Sequence, residues 1–126
     1  MKRSDNIYWV TKKDNGYNRY HKRLKRISDM TEEELKSCEP VALEDVLPDL
    51  GWKCRGCSAN NFFNKLEDYY VQWSNSEQFR YLLKMKHIEK DDFMHIHDVR
   101  YLHQLQNLFE SFTGIKLPNV DMLIKG

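Results

Sequence analysis

Phe62, Phe63, Leu66, Tyr69, Tyr70 and Trp73 stand at offsets 0, 1, 4, 7, 8 and 11, the spacing that lays a continuous apolar stripe along one side of a helix with a 3.6-residue period. The pattern predicts a helix over about 59–73. Ser74-Asn75-Ser76-Glu77 then has the form of a capping box, and with Phe79, Leu82, Leu83 and Ile88 behind it predicts a second helix over about 75–87. Tyr101, Leu102, Leu105, Leu108, Phe109 and Phe112 repeat the first set of offsets 39 residues later. They predict a third helix over about 98–113, with Asp98 near its positive end and Gly114 as the left-handed residue just beyond it. The polar residues between the two stripes do not match, so the repeat reads as two helices that each need one core-facing side.

Ahead of these segments the pattern changes. Ile7-Tyr8-Trp9-Val10-Thr11 is β-branched and aromatic, and Asp14-Asn15-Gly16 signals a turn, so a short hairpin returning through Tyr17 to Tyr20 is expected. The following HKRLKRIS fits either a continued strand or a basic helix. Thr31-Glu32-Glu33-Glu34 is a capping box opening a short helix that Pro40 stops, and VALEDVL forms a second short apolar segment cut by Pro48 and ended by Gly51. The tail, IKLPNVDMLIKG, is apolar enough to pack and reads as extended, with room for a short strand or turn. The expected fold class is therefore mainly α: a small bundle of three principal helices with a short N-terminal β-hairpin. It divides into a basic arm over 1–28 and a helical part over 29–126 within one compact domain.

Composition adds three points. A 126-residue chain with 40% hydrophobic and 13% aromatic residues can bury one core, and no run approaches the roughly 18 apolar residues of a membrane span. The start, MKRSDN, leads into mixed sequence without a signal-peptide h-region, so the expectation is a protein neither membrane-spanning nor secreted. Only Ala42 and Ala59 supply alanine, while Lys, Asn, Ile and Tyr are plentiful. That bias suits an AT-rich genome and makes a virus, a phage or a low-GC microbe the expected source.

The net charge of +1 conceals a segregation: nine Lys/Arg against two acids over 1–28, then eight acids against Lys36 over 29–50. Lys12, Lys13, Arg19, Lys22, Arg23, Lys25 and Arg26, interleaved with Tyr17 and Tyr20, are the mixture that neutralises phosphates and stacks on bases. Two other dispositions fit the same residues: a solvated hairpin with its aromatics turned inward, or an arm folded against the chain's own acidic segment.

Cys38, Cys54 and Cys57 make an odd count, which points to a reducing, cytoplasmic setting and to metal binding ahead of a disulfide framework. Cys54-Arg55-Gly56-Cys57 has the spacing of a zinc knuckle. A redox dithiol is the weaker reading, since no βαβ pattern surrounds it. In an up-down-up bundle the first and third helices run parallel, bringing Cys54 and Cys57 to the same pole as His95 and His97; those four would close a structural zinc site, with Cys38 and His103 as substitute ligands. Trp52, Cys54, Cys57 and Asn61 also resemble the opening Trp-x-Cys-x2-Cys-x3-Asn of Ran-binding-protein-type zinc fingers. The resemblance covers ten residues. That family requires a second Cys-x2-Cys where this chain has Lys65, Leu66, Glu67 and Asp68, so the finger's RNA or ubiquitin binding does not carry over.

The leading expectation is a non-enzymatic regulatory or accessory protein that binds nucleic acid through its basic N-terminal region on a zinc-stabilised helical scaffold. One alternative is a protein-binding adaptor or inhibitor, such as a small viral factor acting on host machinery. The other is a metal-dependent hydrolase or nuclease using His95, His97 and Asp98, with Asp91 and Asp92 at hand. No Gly-rich phosphate loop, nucleophile elbow or HExxH motif supports catalysis.

Overall fold

Five antiparallel strands, not three helices, form the centre of the molecule. The computed structural model of the chain describes residues 6–13, 20–54, 61–76 and 80–124, with side chains of 11–13 and 20–22 excepted. Strands β1 (Ile7–Lys13) and β2 (Tyr20–Arg26) pair as a two-stranded ribbon. Two short helices, α1 (Glu32–Ser37) and α2 (Leu43–Val46), lead to β3 (Lys53–Cys54). Then come β4 (Asn61–Leu66), β5 (Tyr69–Ser74), β6 (Leu82–His87) and β7 (Met94–Ile96), and the chain closes with α3 (Leu102–Thr113) and α4 (Asp121–Ile124). The second sheet is ordered β3-β4-β5-β6-β7, a meander with sequential neighbours throughout.

The helical-bundle expectation is thereby corrected. The helices expected over 59–73 and 75–87 are β4, β5 and β6, and the tail ends in the short α4. The physical reason lies at Glu67-Asp68. This pair makes a two-residue turn, with Glu67 at φ 54°, so Leu66 pairs with Tyr69. Strand alternation restarts across it: Phe62 and Leu66 point inward on β4, and Val71 and Trp73 on β5. Those residues mimic a helical stripe because two alternating strands joined by a two-residue turn produce nearly the same offsets. What separates the readings is Val71, which a helical stripe leaves on the far side and the sheet buries completely. Met85 on β6, equally buried, is Val71's partner across the ladder.

One hydrophobic cluster holds the molecule together. Val71, Trp73, Leu83 and Met85 from the sheet meet Leu102, Leu105 and Phe109 from α3, with Val41, Leu43, Val46, Leu47, Leu50 and Trp52 from the α2 region. Tyr69 sets its ring edge-on to Phe109 and Phe112, at 6.1 and 6.3 Å between centroids, which fixes α3 across this face of the sheet. The Trp73 indole N–H donates to the Val99 carbonyl at 2.7 Å, satisfying the one polar atom of a fully buried ring.

The N-terminal ribbon belongs to the same core. Ile7 is fully buried in it, its N–H donating to Gln106 Oε1 of α3 at 3.0 Å, and Trp9 exchanges two backbone hydrogen bonds with Glu39. Segment 41–43 is tied to the start of α3 by Leu102 N–H to Val41 O at 2.7 Å and Leu43 N–H to Arg100 O at 3.1 Å. Helix α3 begins at Leu102, four residues later than Asp98, which sits at φ 64°. Its start is organised by Gln104 Oε1, which accepts from Arg100 N at 2.7 Å and Tyr101 N at 3.0 Å. Its end is the left-handed Gly114, whose N–H donates to Glu110 O at 2.8 Å.

The capping box at α1 forms as the sequence implies. Thr31 Oγ1 accepts from Glu34 N at 3.2 Å, and Glu34 Oε1 accepts from Thr31 N at 2.8 Å and from Lys25 Nζ at 3.0 Å. Those donors hold the Glu34 carboxyl below its ordinary pKa, the Thr31 backbone N–H contributing most and the Lys25 ammonium next. Thr31→Ala removes the box and is expected to cost about 1 kcal/mol. A urea melt reads this as a lower midpoint at unchanged slope.

Candidate nucleic-acid interface

A half-buried antiparallel sheet puts paired residues on a common face, so its register reads out both sides. One row across the five strands is Cys54, Phe62, Trp73, Leu83 and Ile96, on the side that faces α3. The next is Lys53, Phe63, Gln72, Lys84 and His95, on the side that faces away. Lys65, Tyr70 and Lys86 form a further row on that outer side, and Asn61, Ser74 and Leu82 complete it at the opposite end of the strands.

Among the described strand residues, the outer face thus carries Lys53, Lys65, Lys84, Lys86 and His95 and no carboxylate. The acids nearest these residues in sequence, Asp49, Glu67 and Asp68, Glu89, Asp91 and Asp92, and Asp98, lie outside the strands. Tyr70 is 41% exposed. The Lys86 ammonium lies over two rings, 5.5 Å from the Tyr70 centroid and 5.3 Å from that of Phe93, so its charge is held in place by two cation–π contacts. Phe63, Tyr70, Gln72 and Phe93, with Lys53 and Lys65, line a shallow groove of about 290 Å³ on this face. The basic face escapes sequence reading because its lysines are spread over 53–86, separated by core residues and by acidic turns that cancel their charge in any linear count.

The basic ribbon is less available than its composition suggests. Lys25 is paired with Glu34 and Arg26 with Asp121 of α4, while Leu24 and Trp9 pack against the core. Arg23 is exposed; Lys12, Lys13, Tyr20 and Lys22 lie on the two strands, and Tyr17 and Arg19 lie outside the described residues. The Lys25–Glu34 contact joins the basic arm to the acidic segment that follows it.

The zinc corner is corrected. β3 and β7 are opposite edges of the sheet, so Cys54 and His95 stand four strand spacings apart, roughly 19 Å, against the roughly 2 Å reach of a metal bond. Cys57 lies outside the described residues, and His97 is exposed beyond β7. Among the described residues no three His, Cys, Asp or Glu side chains gather to hold a metal ion. Of the two parallel helices that would have assembled the site, one forms as α3 and the other is the strand pair β4–β5. Of the residues assigned to a hydrolase, Asp98 accepts from Arg100 Nε at 2.6 Å, and that guanidinium lies 4.4 Å from the Tyr81 ring centroid.

The substitute ligands have other employment. Cys38 Sγ donates to Leu35 O at 3.4 Å. His103 is stacked between Tyr8, at 4.9 Å and 19°, and Tyr101, at 5.8 Å and 11°, with its Nδ1 buried and without a hydrogen-bond partner. Burial pushes the His103 imidazole below its ordinary pKa; burial, and secondarily the Cys38 thiol, raises that of Tyr8. The unfolded chain therefore takes up the His103 proton first as pH falls. This stability is complete above the unfolded value of about 6.5 and declines through the lower folded one. The urea midpoint is expected to fall between about pH 7.5 and about pH 5, above the range where Glu34 titrates. His103→Phe keeps a ring between the two tyrosines and is expected to flatten that decline.

Comparison with protein families, with curated proteins and with solved structures gives no match for this chain, so nothing there supports the expected viral source. Among the described residues no helix is long and apolar enough to cross a membrane.

Proposed function

We propose that this chain is a non-enzymatic accessory protein that binds nucleic acid, and that its contact surface is the outer face of the five-stranded sheet rather than the N-terminal ribbon. The observation that carries this reading is the row structure of that face, which has no carboxylate among its described strand residues and sets Lys53 of β3, Lys65 of β4 and Lys84 and Lys86 of β6 around Phe63 and Tyr70. Positive side chains fixed on a rigid sheet release counterions from a phosphate backbone without a large ordering cost, and aromatic rings between them meet bases. The free thiols of Cys38 and Cys54 suit the cytoplasmic, reducing compartment in which we place the protein.

The test is retention on immobilised single-stranded oligonucleotide or heparin. The protein is expected to bind at about 50 mM salt and to elute by about 300 mM, the affinity falling with a log–log salt slope near −3 for four lysine–phosphate contacts. Flow-through at the lower salt overturns the reading. The adaptor alternative has its own footing in Met94 and Phe112, exposed beside Tyr69 on the other side of the sheet, and it expects that indifference to polyanions.

A further inference from the structure

The groove on the outer face has aromatic walls and basic flanks. Phe63 pairs with Gln72 and Lys65 with Tyr70, which makes Phe63 and Tyr70 diagonal neighbours on adjacent strands, within reach of one intervening planar group. Phe93 closes the far side, and Gln72 offers an amide donor and acceptor on the floor. The volume, about 290 Å³, is at the lower limit of pockets that hold small organic molecules. Lys53 and Lys65 flank the groove on one side, and Lys86, fixed over Tyr70 and Phe93, flanks it on the other. A duplex buries its base faces in its own stack and presents only phosphates to such a surface; a single strand brings free π-faces together with the same phosphates.

We infer that this face selects single-stranded nucleic acid, seating one unpaired base in the groove between Phe63, Tyr70 and Phe93 while Lys53, Lys65 and Lys86 hold the phosphates on either side. The inference rests on the nucleic-acid reading above and narrows it. The amide of Gln72 gives the seated base a polar partner without fixing its identity, so preference among bases is weak. The groove takes a base face and its flanks take phosphates, features that RNA and DNA strands share, so both are ligands.

The experiment is fluorescence anisotropy of labelled twelve-nucleotide oligo-dT and oligo-U, and of a twelve-base-pair blunt duplex, titrated with the full chain at about 50 mM salt. Both single strands are expected to bind about ten-fold or more tightly than the duplex. Tyr70→Ala is expected to lower single-strand affinity about ten-fold and heparin retention only slightly, since every lysine of the face remains and Lys86 keeps its contact to Phe93. Tyr70→Phe retains the stacking face and is expected to bind as the parent does. Equal affinity for strand and duplex, or a neutral Tyr70→Ala, overturns the inference and leaves polyanion binding standing. No binding to any of the three probes or to heparin removes both.

Discussion

Val71→Asp is expected to cost about 3–5 kcal/mol, while the same substitution one residue later, Gln72→Asp, stays within about 1 kcal/mol. Val71 is fully buried on the side of β5 that meets α3, and its ladder partners, Asn64 and Met85, offer no cation to pair with an introduced carboxylate. A charge there is desolvated without compensation, or it is neutralised at a cost of the same order. Gln72 faces the other way, between Phe63 and Lys84, where a carboxylate is solvated and has a cation across the ladder. Small domains have only about 5–15 kcal/mol in total, so the first variant loses a large part of its stability and the second almost none. Urea denaturation followed by far-UV circular dichroism separates them. Similar midpoints for the two variants would mean that 69–74 does not alternate and that the sheet is wrong.

Reversing three charges on the open face, Lys65→Glu, Lys84→Glu and Lys86→Glu together, is expected to abolish retention on an oligonucleotide column at about 50 mM salt. Each lysine–phosphate contact on a single strand adds about 0.7 to the magnitude of the salt slope, so losing three flattens it by about two, and the new carboxylates then repel the backbone. The core cluster contains none of the three; Lys65 is exposed, Lys84 and Lys86 are half-buried and Lys86 loses its contacts to Tyr70 and Phe93, so far-UV circular dichroism accompanies the assay and is expected to show the sheet retained. Reversing Arg23 on the ribbon is the control, and it is expected to change retention little. If the ribbon variant loses binding and the sheet variant keeps it, the contact surface lies on the ribbon.

Much of the periphery is legible in the sequence, because its signals are local. The Thr31–Glu34 box, the ribbon from Ile7, the stop at Gly51 with φ 87° and the left-handed Gly114 with φ 76° are each decided by a few adjacent residues. The centre is not legible by the same means. Two segments with identical apolar offsets, 62–73 and 101–112, become a strand pair and a helix. The second has Gln104, Gln106 and Glu110 among its leucines, residues that lose little in a helix; the first is dense in Phe, Tyr, Val and Trp and breaks at Glu67-Asp68. Periodicity alone cannot see that break, because a two-residue turn restores the phase. Val71 and Met85, the buried positions that a helical stripe passes over, are the residues that distinguish the two.

The candidate site follows from the same point. A helical arrangement gathers Cys54 and His95 at one pole and leaves the lysines of 53–86 scattered; a meander sends the first pair to opposite edges and collects the lysines on one face. A charge count along the chain finds the N-terminal cluster, whose Lys25 and Arg26 are in fact paired with Glu34 and Asp121. It passes over the face assembled by strand pairing.

The most direct test is backbone amide chemical-shift mapping of the labelled protein with a short oligo-dT. The expected shifts fall on β4, β5 and β6 around Phe63, Tyr70 and Lys86, with α3 and the paired end of the ribbon near Lys25 and Arg26 unmoved. Shifts confined to the ribbon, or none at all at millimolar oligonucleotide, would contradict the claim that strand pairing builds a nucleic-acid surface on this sheet.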